Sequence, residues 1–351
     1  MNSDKPFKDI DEQINILRQR KLGFITESSA KNSLRYYGYY EIINGYKHEF
    51  VNNTNNDNDG YKSGSNFEHI YALYKLDNEI RNTMRETLEK FEFSFKQSLA
   101  YIVSRDISEN QNRYTAPSHY NAGSSHSFHR RNGRISITTD RDTLLNKTFQ
   151  KLLNSSFDPY RYYKDEHGNI PPWILVKGLS FGNTIYWFKL SKKKVREDVI
   201  DRMLGLDTIS GLDENTLVAF KTSQKIEQAF SDVLNLYLDY RNLSSHGGRI
   251  YNHKSERHKI RNYSPFIYQN DNIIRLSRAD FRKNKLRSSV GTILRTLNMF
   301  KNKDPFFNLE VMLSIQIQNH LKNYPEDFDF LMNEMELRET YVERKIIEDK
   351  K

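Results

Sequence analysis

Cysteine is absent from the 351 residues, which excludes disulfides, thiolate nucleophiles and cysteine zinc sites. The sequence also lacks any run of eighteen apolar residues and any charged, apolar, small-residue leader. Neither a membrane span nor a secretory signal is expected, and a cytoplasmic location is the default. No segment recurs at a fixed period, and alternating strand patterns are scarce, so the expected fold class is all-α. No Gly-rich phosphate loop is present, because GLSFGNT at 178–184 lacks both the lysine and the strand context of an NTPase. Chemistry must therefore come from His, Arg, carboxylates, Tyr or Ser.

Helical periodicity dominates what remains. From Phe67 to Ile107 the apolar residues Ile70, Leu73, Leu76, Ile80, Met84, Leu88, Phe91, Phe95, Leu99 and Ile102 recur at three- and four-residue steps, predicting one long helix or two in line. A second pattern runs from Asp213 to His246, with Ala229, Val233, Leu236, Tyr240 and Leu243 as its core stripe. Shorter helices are predicted at 9–20, 28–50, 142–153, 172–190, 193–204, 285–300 and 308–322. Residues 263–274 suit a short hairpin. The tract 108–134 is polar and without sustained period, and a long insertion is expected over about 108–170. The domain reading is a helical domain over 1–253 and a basic helical region over 254–351.

Charge is distributed unevenly along the chain. The net charge is +9, yet residues 249–303 carry fourteen Lys or Arg against three acidic residues, a local +11 that leaves the rest at −2. Such density suits a phosphate backbone. The candidate RNA contacts in it are Arg249, Lys254, Arg257, Arg275, Arg278, Arg282, Lys283, Lys285 and Arg287.

The basic segment begins just after DYRNLSSHGGRIYNH at 239–253. A histidine followed by Gly247 and Gly248 is an ordinary helix stop, since His⁺ favours the negative end of the helix dipole and glycine accepts the left-handed cap. The alternative is that Arg241, Asn242 and His246 cleave RNA. An Arg followed by four to six residues and a His also occurs at Arg113/His119 and Arg161/His167, and roughly two such matches arise by chance. What distinguishes Arg241 is its amphipathic helix, on which Asn242 and His246 lie four apart on one face, with Arg241 about 100° round. An RNA 2′-OH could then attack its own phosphate while His246 moves the proton and Arg241 stabilises the phosphoryl oxygens. That reaction requires no metal or cofactor. The pairs His126/His129 and His253/His258 lack a third ligand at zinc-like spacing. Glu89 and Glu92 lie on the long helix among apolar residues, where Arg81 or Arg85 is the expected ion-pair partner.

Five ordered blocks carry a resemblance: KPFKDIDEQINILRQRKL (5–22), LRYYGYYEIINGYKHEF (34–50), residues 67–104, PPWILVKGLSFGNTIYWF (171–188) and YRNLSSHGGRIYN (240–252). The chain resembles the Abi abortive-infection proteins of the AbiD and AbiF type. PEDFDFLMNEM at 325–335 is similar to the proline and aromatic motif that often closes such chains. The resemblance implies the HEPN superfamily, all-α domains that commonly act as metal-independent endoribonucleases. On that basis Arg241, Asn242 and His246 match the HEPN motif, and Glu92 supports it from a neighbouring helix. A homodimer sharing one composite site, RNA as substrate and regulator, and an antitoxin partner are implied as well. The other implied role is a non-catalytic HEPN-fold protein that sequesters RNA. The chain departs from the pattern in its long insertion, and in Gly-Gly where the family more often has a second His before Gly.

Overall fold

A computed structural model of the chain describes residues 6–56, 59–129, 135–205, 224–263 and 276–337. The main helices in chain order are α1 (Ile10–Gln19), α2 (Glu27–Tyr37), α3 (Phe67–Asp106), α4 (Tyr160–His167), α5 (Phe181–Leu190), α6 (Lys193–Leu204), α7 (Gln224–Ser245), α8 (Val290–Leu297), α9 (Asp304–Leu321) and α10 (Phe328–Met335). The fold is mostly α-helical, as the periodicity predicts. The chain forms two compact units that do not follow chain order. One comprises 1–83, 247–252 and 311–351, and the other 84–246 and 253–310.

Local rules account for most boundaries. Asp9 closes a capping box with Glu12 at the start of α1, and Ile14 and Leu17 are buried behind it. Helix α3 has no internal glycine or proline, and its forty residues span about 60 Å at 1.5 Å per residue. All ten residues of its predicted apolar stripe are buried.

Three predicted helices are shorter or broken. The helix expected over 28–50 ends at Tyr37, because Gly38 takes φ +83 and turns the chain out. A π turn at Tyr40–Asn44 and a 3-10 turn at Lys47–Phe50 follow. The helix expected over 172–190 divides into Pro172–Leu175, a 3-10 turn and α5, since extended Ser180 caps the amide of Asn183 and restarts the helix. The helix expected over 285–300 begins only at Val290. Asn284 and Leu286 are left-handed, which a continuing helix excludes, and Ser289 supplies a capping box.

The polar tract also carries structure that its aperiodic sequence did not announce. Strands β1 (Ser125–His129) and β2 (Ile135–Thr139) pair antiparallel, with Ser125 opposite Thr139 and His129 opposite Ile135. The flanking segments are anchored by buried tyrosines. Tyr114 donates to the Ile170 carbonyl at 2.7 Å, Tyr120 donates to the Tyr114 carbonyl at 2.6 Å, and the Trp187 indole donates to Tyr120 at 3.2 Å. The hairpin expected over 263–274 falls, apart from Tyr263, outside the described residues.

In the second unit, α7 packs its inner face on the later part of α3 and on α5. Phe91 meets Tyr237 edge-on at 4.7 Å and Phe300 at the same distance, while Phe230 contacts Phe95 and Phe188. Aromatic pairs of this kind add about 0.5–1.5 kcal/mol each beyond area burial. This core fixes the rotation of α7 and so decides which of its residues face outward.

Candidate functional site

Within the second unit, the end of α7 is set by hydrogen bonds below the candidate residues. The Tyr240 hydroxyl sits 2.6 Å from the His253 carbonyl and 2.8 Å from that of Ser288, where it ties α7 to both segments. Ser244 and Ser245 donate back to the carbonyls of Tyr240 and Arg241. The His246 amide still reaches the Asn242 carbonyl at 3.0 Å, and Gly247 then takes φ +77 and ends the helix. The helix stop read from the sequence is therefore correct for Gly247. Of the predicted stripe, Ala229, Val233, Leu236 and Tyr240 are buried, and Leu243 is half-buried.

Asn242 and His246 are exposed on this last turn, whereas Arg241 is half-buried. The Arg241 Nε lies 3.5 Å from Glu92 Oε2, an ion pair in which Glu92 is 9% exposed. Glu92 also receives Lys96 Nζ at 2.6 Å across one turn of α3. A carboxylate this buried is stable only when paired, and two cations supply that. The partners are Arg241 and Lys96, not the expected Arg81 or Arg85. Arg81 bonds Asn78 and donates to the Gly247 carbonyl, and Arg85 and Glu89 are exposed. The structure thus brings Arg241 and Glu92 together and leaves Asn242 and His246 presented to solvent.

A family model for Abi-like proteins matches residues 32–252, a span that contains α3, α5 and α7 and ends just past the Arg241–His246 turn. The chain belongs to the Abi-like family. No curated protein and no solved structure matches it. The Abi-like match includes four of the five sequence blocks, leaving out the block at 5–22 and all of the basic segment beyond Asn252.

The basic residues of that segment divide by environment. In the second unit Lys254, Arg257, Arg278, Arg282, Lys283 and Lys285 are exposed. Arg287 is half-buried, donating to the carbonyls of Ile260 at 2.8 Å and Arg261 at 3.1 Å while its guanidinium covers the Phe281 ring. Arg261 pairs with buried Asp232 at 2.7 Å, and Arg295 is itself buried. Arg275 lies outside the described residues. The formal +11 therefore overstates the positive charge available to a ligand. In the first unit, Arg249 is exposed and donates to the Gly45 carbonyl.

Each histidine pair weighed as a metal site has a member bonded to a carboxylate instead. His126 bonds Asp140 at 2.7 Å, and His253 bonds Asp239 at 3.2 Å. The His253 hydrogen bond holds the Asp239 carboxyl below the usual range, against a smaller opposing effect of burial.

Sequence reasoning missed Asp77. In the first unit its fully buried carboxylate accepts the backbone amides of Ile250 and Tyr251 at 3.0 and 2.7 Å, and the Tyr46 hydroxyl at 2.6 Å. Burial raises its carboxyl above the ordinary value in spite of these donors, and raises the Tyr46 phenol as well. The available signal was an aspartate beside Leu76 and three residues before Ile80, inside the apolar stripe of α3.

Proposed function

We propose that this Abi-like protein is an abortive-infection effector that cleaves RNA without a metal, using Arg241, Asn242 and His246. Family membership supports the phage-defence role. The observation that supports the chemical reading is the Arg241–Glu92 pair, which anchors a cation on the closing turn of α7, the turn that also exposes Asn242 and His246 to solvent. Such a turn can receive a phosphodiester. His246 takes the proton from the ribose 2′-OH, the 2′-oxygen bonds to phosphorus, and the bond to the 5′-oxygen breaks. Arg241 stabilises the charge that gathers on the non-bridging oxygens, and Asn242, four residues from His246, orients the phosphate or the ring. The departing 5′-oxygen takes its proton from a second imidazolium, which a homodimer provides. The products are a 2′,3′-cyclic phosphate and a 5′-hydroxyl, and DNA is not a substrate because it lacks the nucleophile. RNA enters along the exposed cations Lys254, Arg257, Arg278, Arg282, Lys283 and Lys285. An antitoxin or regulatory RNA holds the activity off until infection.

The test compares wild type with His246→Ala on total RNA, without added metal, reading 2′,3′-cyclic ends. Cleavage by wild type alone supports the enzyme. Equal RNA binding by both proteins with cleavage by neither overturns it in favour of an RNA-sequestering role, which the exposed cations would also serve.

A further inference from the structure

In the first unit, three titratable side chains outside the Arg241 turn converge from separate parts of the chain. His69 lies in the first turn of α3, His320 near the end of α9, and Asp327 closes the 3-10 turn Pro325–Asp327 before α10. Their side chains are 11%, 4% and 10% exposed. His69 Nε2 lies 2.9 Å from Asp327 Oδ2, and His320 Nε2 lies 2.7 Å from the same oxygen. One donor atom from each residue falls within 4.8 Å of the other two.

We propose that His69, His320 and Asp327 form a zinc site. Tetrahedral zinc with bonds of about 2.0–2.1 Å keeps its ligand atoms roughly 3.3 Å apart, so a small opening of this cluster admits the ion. Two imidazoles and a carboxylate suit zinc better than calcium or magnesium, which prefer oxygen donors throughout. Three protein ligands leave the fourth position to water.

The second nitrogen of His69 carries the argument further. Its Nδ1 faces Glu326 Oε1 at 3.8 Å. A metal on Nε2 puts the ring proton on Nδ1, and that N–H then points at a carboxylate, the usual support of a metal-bound histidine. Without a metal, the proton of a neutral ring can serve Asp327 or face Glu326, but not both. The ring plane is fixed in advance, because Tyr324 stacks on His69 at 4.0 Å and 14° while Phe50 meets it edge-on at 4.7 Å. A bound dication would also place positive charge beside both carboxylates, Asp327 and Glu326. The bound ion would join the start of α3, the end of α9 and the start of α10, and none of its ligands belongs to the proposed RNA-cleaving turn.

The experiment strips the full chain with a chelator, removes the chelator, and titrates Zn²⁺ calorimetrically, with Co²⁺ as an optical probe of coordination. One ion per chain and a rise in Tm on adding Zn²⁺ are expected. His320→Ala and Asp327→Asn should abolish both effects. Glu326→Gln, which leaves all three ligands and the fold in place, should weaken zinc binding about tenfold. Absence of zinc uptake by wild type overturns the proposal, as does wild-type affinity in a folded His320→Ala or Asp327→Asn chain. If those two variants fail to fold by circular dichroism, unchanged affinity in Glu326→Gln together with no histidine-type Co²⁺ spectrum in wild type overturns it instead.

Discussion

Arg241 Nε stands 3.5 Å from Glu92 Oε2, joining the last turn of α7 to the middle of α3. Glu92 is the common partner of two cations, so its removal takes a counter-charge from both Lys96 and Arg241. Glu92→Ala should cost about 1–3 kcal/mol, the penalty for stranding a buried polar partner. The Glu92–Arg241 coupling in a double-mutant cycle should be about 1 kcal/mol or less, because the Arg241 side chain is 32% exposed. Urea unfolding of the two single variants and the double variant measures both. On the proposed function, Glu92→Ala also lowers RNA cleavage without removing either proton carrier.

Asp77 accepts hydrogen bonds from three buried donors in the first unit. Asp77→Ala should destabilise by about 3 kcal/mol or more, since each stranded donor costs about 1–3 kcal/mol. Asp77→Asn keeps an acceptor and should cost less. Chemical denaturation ranks the two, and equal losses would show that the carboxylate's charge, not its acceptor geometry, matters.

The Asp239 carboxyl is held below its ordinary value by His253. A depressed carboxyl contributes stability that is fully present above the unfolded pKa and is lost as pH falls through the folded value. The acid limb of the stability profile, from about pH 4 downward, should therefore flatten in Asp239→Asn. Denaturant midpoints measured across that range test this, and an unchanged acid limb would show that the pair contributes nothing to acid stability.

Tyr237 is fully buried, and its hydroxyl bonds Thr296 at 2.9 Å beneath the aromatic cluster of the second unit. Tyr237→Phe should cost about 1 kcal/mol for the missing hydrogen bond. Phe91→Ala should cost about 3–5 kcal/mol, for transfer and cavity together. Thermal unfolding separates the two.

For the proposed RNA surface, replacing Arg278, Arg282 and Lys285 by Gln should reduce the slope of log K against log salt. The reduction should be about 0.7 for each single-strand phosphate that is no longer neutralised. Arg287→Gln should instead act on stability, because its donors already serve the Ile260 and Arg261 carbonyls. Fluorescence anisotropy over a salt series, with parallel melts, distinguishes these effects.

Sequence pattern alone was enough for the helical class, for the ten buried positions of α3 and for the glycine that ends α7, whereas the structure decided that α3 is one helix and not two in line. The first three are local properties, set by periodicity, caps and backbone sterics. The ordered blocks also made the Abi-like family legible, and with it Glu92 as a residue to watch. The pairing of β1 with β2 was not legible, since β1 has a single apolar residue, Phe128, and the short alternation of Ile135 and Ile137 in β2 faces solvent and marks no buried face. Nor could the sequence pair Glu92 with Lys96 and Arg241 rather than with Arg81 or Arg85. The choice depends on how far α7 is rotated against α3, which the Phe91–Tyr237 and Phe95–Phe230 contacts fix. Asp77 and the His69–His320–Asp327 cluster were hidden for the same reason. Tyr251 lies 174 residues from Asp77 and Asp327 lies 258 from His69, so only close packing of the folded chain brings their atoms within hydrogen-bonding reach.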